Sequence, residues 1–265
     1  MLIDLLSLYY RSGLRGSYRL TKLIDRVHSL KSVNLKTPYG IVNVDLTTSM
    51  GQSLTGFNGS PESEVISQHA GSICYDIGAN FGIYSALMAR YGEVYAFEPN
   101  SEVFHCLERT AFGKSVTPFN VALSDSEGSA DLFVPEEISM ASFVDWTHDA
   151  DMSGITKFAG NTTRMICRMV RLDDFVIERG LPLPDFIKLD VEGAEVKVLR
   201  GARSTIEQAR PTIFFEASAS LWPKMDGSHQ EVLKFFNSLD YRLFHNGKEI
   251  SDLNLDWTNV LAKPN

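Results

Sequence analysis

Cysteine is scarce in this chain: Cys74, Cys106 and Cys167 are the only three among 265 residues. Their spacing matches no zinc or redox motif, and an odd number does not close a disulfide framework. The fold is therefore expected to rest on an apolar core, in a reducing, cytoplasmic compartment. Long apolar runs are also missing, and none reaches the roughly 18–20 residues that a membrane-spanning helix needs. The opening residues, MLIDLLSLYY, lack a basic start and carry Asp4, which makes them a poor secretory leader. Without a leader, the glycosylation patterns Asn58-Gly59-Ser60 and Asn161-Thr162-Thr163 read as chance matches.

Positive charge is in short supply, with 25 Lys and Arg against 33 Asp and Glu and a net charge of −8. That balance disfavours nucleic acid as a partner. The exception is the first 31 residues, which hold Arg11, Arg15, Arg19, Lys22, Arg26 and Lys31 against Asp4 and Asp25. The first five recur every three or four positions, so a helix would carry them on one face. Such a stripe is a solvated face or a weak membrane-surface contact. Gly13 and Gly16 weaken a long helix here, at about 1 kcal/mol each relative to alanine.

What is present is a regular alternation. Residues 2–30 read as helical, and 33–46 as two short strands around the Pro38–Gly40 turn. A helix over 61–70 opens at Ser60 and Pro61. Strands are expected over 72–77, 93–97, 115–122, 128–134, 165–172, 186–189, 212–216, 241–244 and 259–261. Helices are expected over 82–90, 100–112, 173–179 (capped by Asp173), 194–199 and 230–239. The pattern implies an α/β fold with a mostly parallel sheet and helices on both faces. We divide it into an N-terminal extension, 1–60, and a main domain, 61–265. Residues 135–162 break the period, with Met140, Phe143 and Trp146 scattered through them, and are expected to form a substrate flap.

Ligands in such sheets bind beyond the carboxyl ends of the strands. The first end reads Asp76-Ile77-Gly78-Ala79-Asn80-Phe81-Gly82. A dinucleotide loop needs G-x-G-x-x-G, and here Asn80 and Ile83 stand where the second and third glycines belong. Gly78 would let a ligand approach the backbone, and Gly82 would let the helix start close to the sheet. The loop suits a phosphate-free ligand whose ammonium group meets Asp76. The next end places Glu98, with Pro99, 22 residues after Asp76, where an acid binds ribose hydroxyls; the lesser reading of Glu98 is a cap for the helix opening near Ser101. Asn120, ahead of Ala122, is placed to meet an adenine edge or to make a turn. An amino acid at one end and a nucleoside at the other describe S-adenosylmethionine. Asp76, Gly78, Ala79, Asn80, Glu98, Pro99, Asn120 and Ala122 are the expected cofactor contacts.

These segments, with Ala122-Leu-Ser-Asp125 and Phe186-Ile-Lys-Leu-Asp-Val-Glu-Gly-Ala-Glu195, resemble the FkbM family of methyltransferases in motif and order, over about residues 60–220. The resemblance implies a Rossmann-like, class I methyltransferase with a seven-stranded sheet, bound S-adenosylmethionine, and O-methyl transfer to a sugar or polyketide hydroxyl. It is silent over the chain ends and over 135–162, where acceptor choice is expected to lie.

Asp190 and Glu192 are two apart and would share a face of an extended chain. Glu216 ends the following strand. Orienting the acceptor supplies much of the rate, and a base that takes its proton adds roughly 10²–10⁴-fold. Asp190 is the first candidate for that base, then Glu192, with Glu216 beside them. Glu192 also suits a helix N-terminus. A divalent metal held by these acids is a competing account; no rigid ligand set is present, and metal is not expected. His105, His148, His229 and His245 are scattered. Two other functions stay open. One is an NAD(P)-dependent oxidoreductase, disfavoured by the missing glycines. The other is a non-catalytic partner of the same fold, disfavoured by the acids at 98, 190 and 192.

Overall fold

A computed structural model describes residues 24–25, 29–55, 57–135, 141–143 and 162–265. The basic stripe apart from Lys31, and the insertion with Met140, Trp146 and His148, lie outside the described residues. Of the expected flap, only 135, 141–143 and 162 are described.

Strands β1 (Val33–Thr37) and β2 (Gly40–Val44) form an antiparallel hairpin. Short helix α1 (Ser49–Ser53) follows, then α2 (Pro61–His69). Ser60 caps α2 through a capping box with Ser63, and Pro61 sits where its missing N–H costs nothing. The α/β alternation then runs β3 (Ile73–Ile77), α3 (Ile83–Met88), β4 (Glu93–Phe97), α4 (Ser101–Ala111) and β5 (Val116–Phe119). Three short strands follow, β6 (Ala122–Leu123), β7 (Gly128–Val134) and β8 (Thr163–Val170). The chain continues through α5 (Leu172–Arg179), β9 (Phe186–Leu189), α6 (Glu195–Gly201), α7 (Arg203–Ala209) and β10 (Thr212–Ala217). A 3₁₀ turn (Trp222–Met225), α8 (His229–Ser238), β11 (Tyr241–His245), β12 (Lys248–Ile250) and β13 (Thr258–Pro264) complete it.

The main sheet has the order β12-β11-β13-β10-β9-β3-β4-β5. From β10 to β5 every neighbour is parallel, and β13 lies antiparallel between β10 and β11. The expected seven strands are thus eight. The extra one is β12, folded back on β11 by Asn246 and Gly247, both at positive φ (48° and 73°); an Asn-Gly pair favours that tight hairpin.

Two further expectations are corrected. The strand read over 115–122 stops at Phe119, and Ala122–Leu123 joins β8 in a separate three-stranded sheet, β6-β8-β7. Asp173 does not cap its own helix, where Arg171 is the N-cap. Its carboxylate instead accepts from Ser204 N (3.0 Å), Thr205 N (2.8 Å) and Thr205 Oγ1 (2.8 Å), capping α7 across 31–32 residues of sequence.

The period of two along the strands builds two cores. Tyr75, Ile77, Phe97, Ile187, Leu189, Ile213 and Phe215 pack with residues of α5 to α8 on one face. Cys74, Val94, Ala96, Phe186 and Phe214 pack with residues of α2 to α4 on the other. The hairpin closes over a third cluster, where Leu35, Val42, Val44 and Leu54 meet Phe81, Ile83, Val103 and Cys106. Thr110 Oγ1 accepts from Asn43 N there at 2.8 Å. The three cysteines are buried and unpaired. Among the described residues no helix is long and apolar enough to cross a membrane.

Candidate active site

The loop after β3 is folded by its own backbone. Gly78 N and Ala79 N both donate to Phe97 O at 3.0 Å. Asn80, at φ 52°, donates its N–H to Glu98 Oε2 at 2.9 Å. Asn100 N donates to Glu98 Oε1, also at 2.9 Å. Glu98 therefore clasps the ends of two neighbouring strands with its two oxygens. Burial pushes its carboxyl up to about 7, against the pull of those two N–H groups.

Gly78 (φ +77°) is required by packing within the chain itself. A Cβ there would lie 1.7 Å from the carbonyl oxygen of Asp190. The close approach is thus between two loops of the chain, although Gly78 also lines the cavity described below. At Gly82 (φ +82°) a Cβ would meet Leu107 Cδ1 at 2.6 Å. That glycine lets α3 pack on α4, not on the sheet.

The acids at the other end are arranged by register. Asp76 and Lys188 are opposite one another in the parallel β3–β9 pair. Asp76 is fully buried, with Oδ2 accepting from Ser85 Oγ at 2.5 Å and Oδ1 3.8 Å from Lys188 Nζ. Burial raises its carboxyl above the ordinary range, against the pull of Lys188 and Ser85. Asp76 does not line the cavity, and the ammonium it meets is that of Lys188. Lys188 Nζ also reaches Asp190 Oδ2 at 3.1 Å and Gly78 O at 3.3 Å, and lies 5.5 Å from the centre of the Tyr84 ring.

Asp190 and Glu192 both line the cavity. Glu192 stands at φ 53°, and burial, then Asp190 and Glu195, push its carboxyl up to about 8. Glu195 holds this loop from beneath. It is buried and accepts from Val191 N (3.1 Å), Gly193 N (3.3 Å) and Trp222 Nε1 (2.9 Å). Glu216 follows the Phe215–Leu189 pair on β10 but does not line the cavity. One of its oxygens is buried without a hydrogen bond, and burial, then Asp190, Glu192 and Glu195, push its carboxyl up to about 9. Three carboxylates around one open point were expected; the cavity receives two. Asn120 is likewise turned inward, donating Nδ2 to Glu98 O (2.8 Å) and Pro99 O (3.1 Å), and does not line the cavity.

The cavity itself measures about 420 Å³. Of the residues expected to contact the cofactor, Gly78, Ala79, Asn80, Glu98, Pro99 and Ala122 line it. Phe97, Val103, Val121, Leu123 and Leu132 give it an apolar wall, and Lys188, Asp190 and Glu192 a charged one. Met50 and Ser53 of the extension, Tyr84, and Ala141, Ser142 and Phe143 of the insertion complete it. Ser142 Oγ donates to Glu192 O at 3.2 Å. Sequence reasoning missed Met50, Ser53, Tyr84 and Ser142, which lie outside any motif. It also missed Lys188 and Glu195, which lie within one and were passed over in favour of their neighbours.

The Methyltransferase FkbM domain model matches residues 76–243. The hexuronic acid methyltransferase AglP of Haloferax volcanii is 27% identical over 154 residues, 57% of this chain and 58% of AglP. The AMB antimetabolite synthetase AmbE of Pseudomonas aeruginosa is 28% identical over 160 residues, 49% of this chain and 8% of AmbE. This chain thus spans less than two thirds of either curated relative. A crystal structure of the methyltransferase FkbM from Methylobacillus flagellatus aligns with 74% of this chain and 44% of its own, at a TM-score of 0.46 and 17% identity. With a family match over more than half its length, this chain belongs to the FkbM methyltransferase family.

Proposed function

We propose that this protein is an S-adenosylmethionine-dependent O-methyltransferase acting on a hydroxyl of a sugar, polyketide or similar small metabolite. The observation that carries the reading is the loop between the two walls of the cavity. The N–H groups of Gly78, Ala79 and Asn80 are all spent, on Phe97 O and on Glu98. A phosphate is cradled by free backbone N–H groups, so this loop suits a ligand with no phosphate. That argues against NAD(P) and fits S-adenosylmethionine. Glu98 would hold the ribose hydroxyls, and Phe97, Val103, Val121 and Leu123 the adenine. Gly78, Ala79 and Asn80 would border the amino-acid end.

When bound, S-adenosylmethionine supplies an electrophilic methyl group. The chain supplies orientation and a place for the proton. Asp190 Oδ1 would take the acceptor's proton while Lys188 holds Oδ2. Glu192, raised to about 8, is mostly protonated at neutral pH. It would donate a hydrogen bond to the acceptor and, already carrying its proton, is the second candidate for the base. Among the described residues no group of three or more His, Cys, Asp or Glu is arranged to hold a metal. A chelator that abolishes turnover, with recovery on adding a divalent cation, would replace the direct base by a metal. The acceptor would lie against Met50, Ser53 and Ala141–Phe143, which gives residues 135–162 the task of choosing it. The hexuronic acid named for AglP supports a saccharide among the first acceptors to try.

The test is mass spectrometry after incubating the protein with methyl-labelled S-adenosylmethionine and a library of sugars, glycans and polyketides. One added methyl on a hydroxyl is the expected result. A methyl found on nitrogen or on a carboxylate would overturn the O-methyl reading.

A further inference from the structure

Lys188 does more than neutralise a buried acid. Its side chain is 7% exposed and stands on a strand buried on both faces. A lysine so placed needs partners. Asp76, its partner in the ladder and fully buried, would suffice as a counter-charge. Yet the ammonium lies 3.8 Å from Asp76 and closer to two groups that border the cavity, Asp190 Oδ2 at 3.1 Å and Gly78 O at 3.3 Å. The Tyr84 ring closes the remaining side at 5.5 Å. Burial works against the charge, but Asp190 and Asp76 more than offset it, so the pKa stands above that of an ordinary lysine.

The two cavity-side partners belong to different loops, the one after β3 and the one after β9. Those loops already touch, because a Cβ on Gly78 would collide with Asp190 O. We propose that Lys188 is a positioning residue for methyl transfer, a strut that fixes the cavity-facing carboxylate of Asp190 against the carbonyl of Gly78 in the cofactor loop. It acts through those two groups and need not touch the acceptor. The proposal rests on the reading of the cavity as the S-adenosylmethionine site.

The experiment is calorimetry with S-adenosylhomocysteine on the wild-type chain, K188M, K188R, D190N and K188M/D190N, each first checked for folding by circular dichroism. K188M leaves Asp76 buried without a cation, so D76N/K188M is made as a second folded background. The expected result is a loss of affinity of about tenfold or more in K188M, the scale of one hydrogen bond from a charged donor. K188R should recover part of it. The loss should be smaller when D190N is already present, because the released carboxylate is then gone; partners in contact are not additive. A buried lysine with a purely structural task would leave the affinity of the folded variant unchanged, and that result overturns the proposal. Additive effects of K188M and D190N overturn it as well. If neither K188M nor D76N/K188M folds, Lys188 is a structural counter-charge and the strut is wrong. If the wild-type chain binds neither S-adenosylmethionine nor S-adenosylhomocysteine, the reading of the cavity falls first and takes the strut with it.

Discussion

Single carboxyl groups set the pH behaviour of this protein. Burial raises Glu98 to about 7, and in the proposed function its ionised form would be the better acceptor for two ribose hydroxyls. Affinity for S-adenosylhomocysteine should therefore rise as pH increases through 7, and the rise should vanish in Glu98→Gln; calorimetry between pH 5.5 and 8.5 checks both. Stability should run the other way. Glu192 at about 8 and Glu216 at about 9 keep their protons in the folded chain above the ordinary 4.5, where the unfolded chain has lost them. The folded state then binds more protons, and stability falls as pH climbs from 4.5 towards 9. Melting temperatures of the ligand-free protein should decline over that window, and Glu216→Gln should flatten the decline. Asp190→Asn should cut turnover by roughly 10²–10⁴-fold, the usual worth of a base, with cofactor affinity changed only slightly. Wild-type turnover in that variant would move the catalytic centre elsewhere. The sequence exposed Glu98, Asp190 and Glu192 because each ends a strand where ligands bind. It could not show that Asp76, Asn120 and Glu216 turn away from the cavity, since that depends on Lys188, on two carbonyls and on the rim of β10.

At the level of elements, legibility followed burial. β4 and β9 were read to the residue because each is a short run that packs into cores on both faces of the sheet. β12 was missed although Asn246-Gly247 announces a hairpin, because its three residues are largely exposed and carry no period. Helix α7 was missed because its first turn is capped from another helix. Ser204 and Thr205 give their N–H groups to Asp173, 31 and 32 residues upstream, and no local pattern records that. Asp173→Ala should therefore cost about 1–2 kcal/mol, the worth of a good helix cap. Urea unfolding should show it as a lower midpoint at unchanged slope, and a change under 0.5 kcal/mol, the range of an ordinary surface substitution, would mean that water replaces the carboxylate.

For the molecule as a whole, the division at residue 60 is a boundary in sequence more than in structure. Leu35, Val42, Val44 and Leu54 share a cluster with Phe81, Ile83 and Val103, and Met50 and Ser53 line the cavity. We expect a chain starting at residue 61 to expose that cluster and aggregate or bind a hydrophobic dye. A dispersed amide spectrum from residues 61–265 alone would show instead that the extension is separable. The alternation of strands and helices made the sheet legible from β11 to β5. The proposed acceptor side was not, because Met50 and Ser53 lie far along the chain from Ala141–Phe143 and share no motif with them.

The insertion leaves β7 at Val134 and returns on β8 at Thr163, and these two residues are partners in the same antiparallel ladder. Its exit and entry thus face each other on one rung, like the two ends of a purse string. Ser142 is tied back to Phe133 by two backbone hydrogen bonds and to the Glu192 carbonyl by its hydroxyl. Chain added or removed between these ties need not shift the rung, and closing a longer loop costs only about 0.6 kcal/mol per doubling. We propose that the sequence between these ties is a cassette. It can be lengthened, shortened or exchanged while Asp190, Glu98 and the loop between them keep their places.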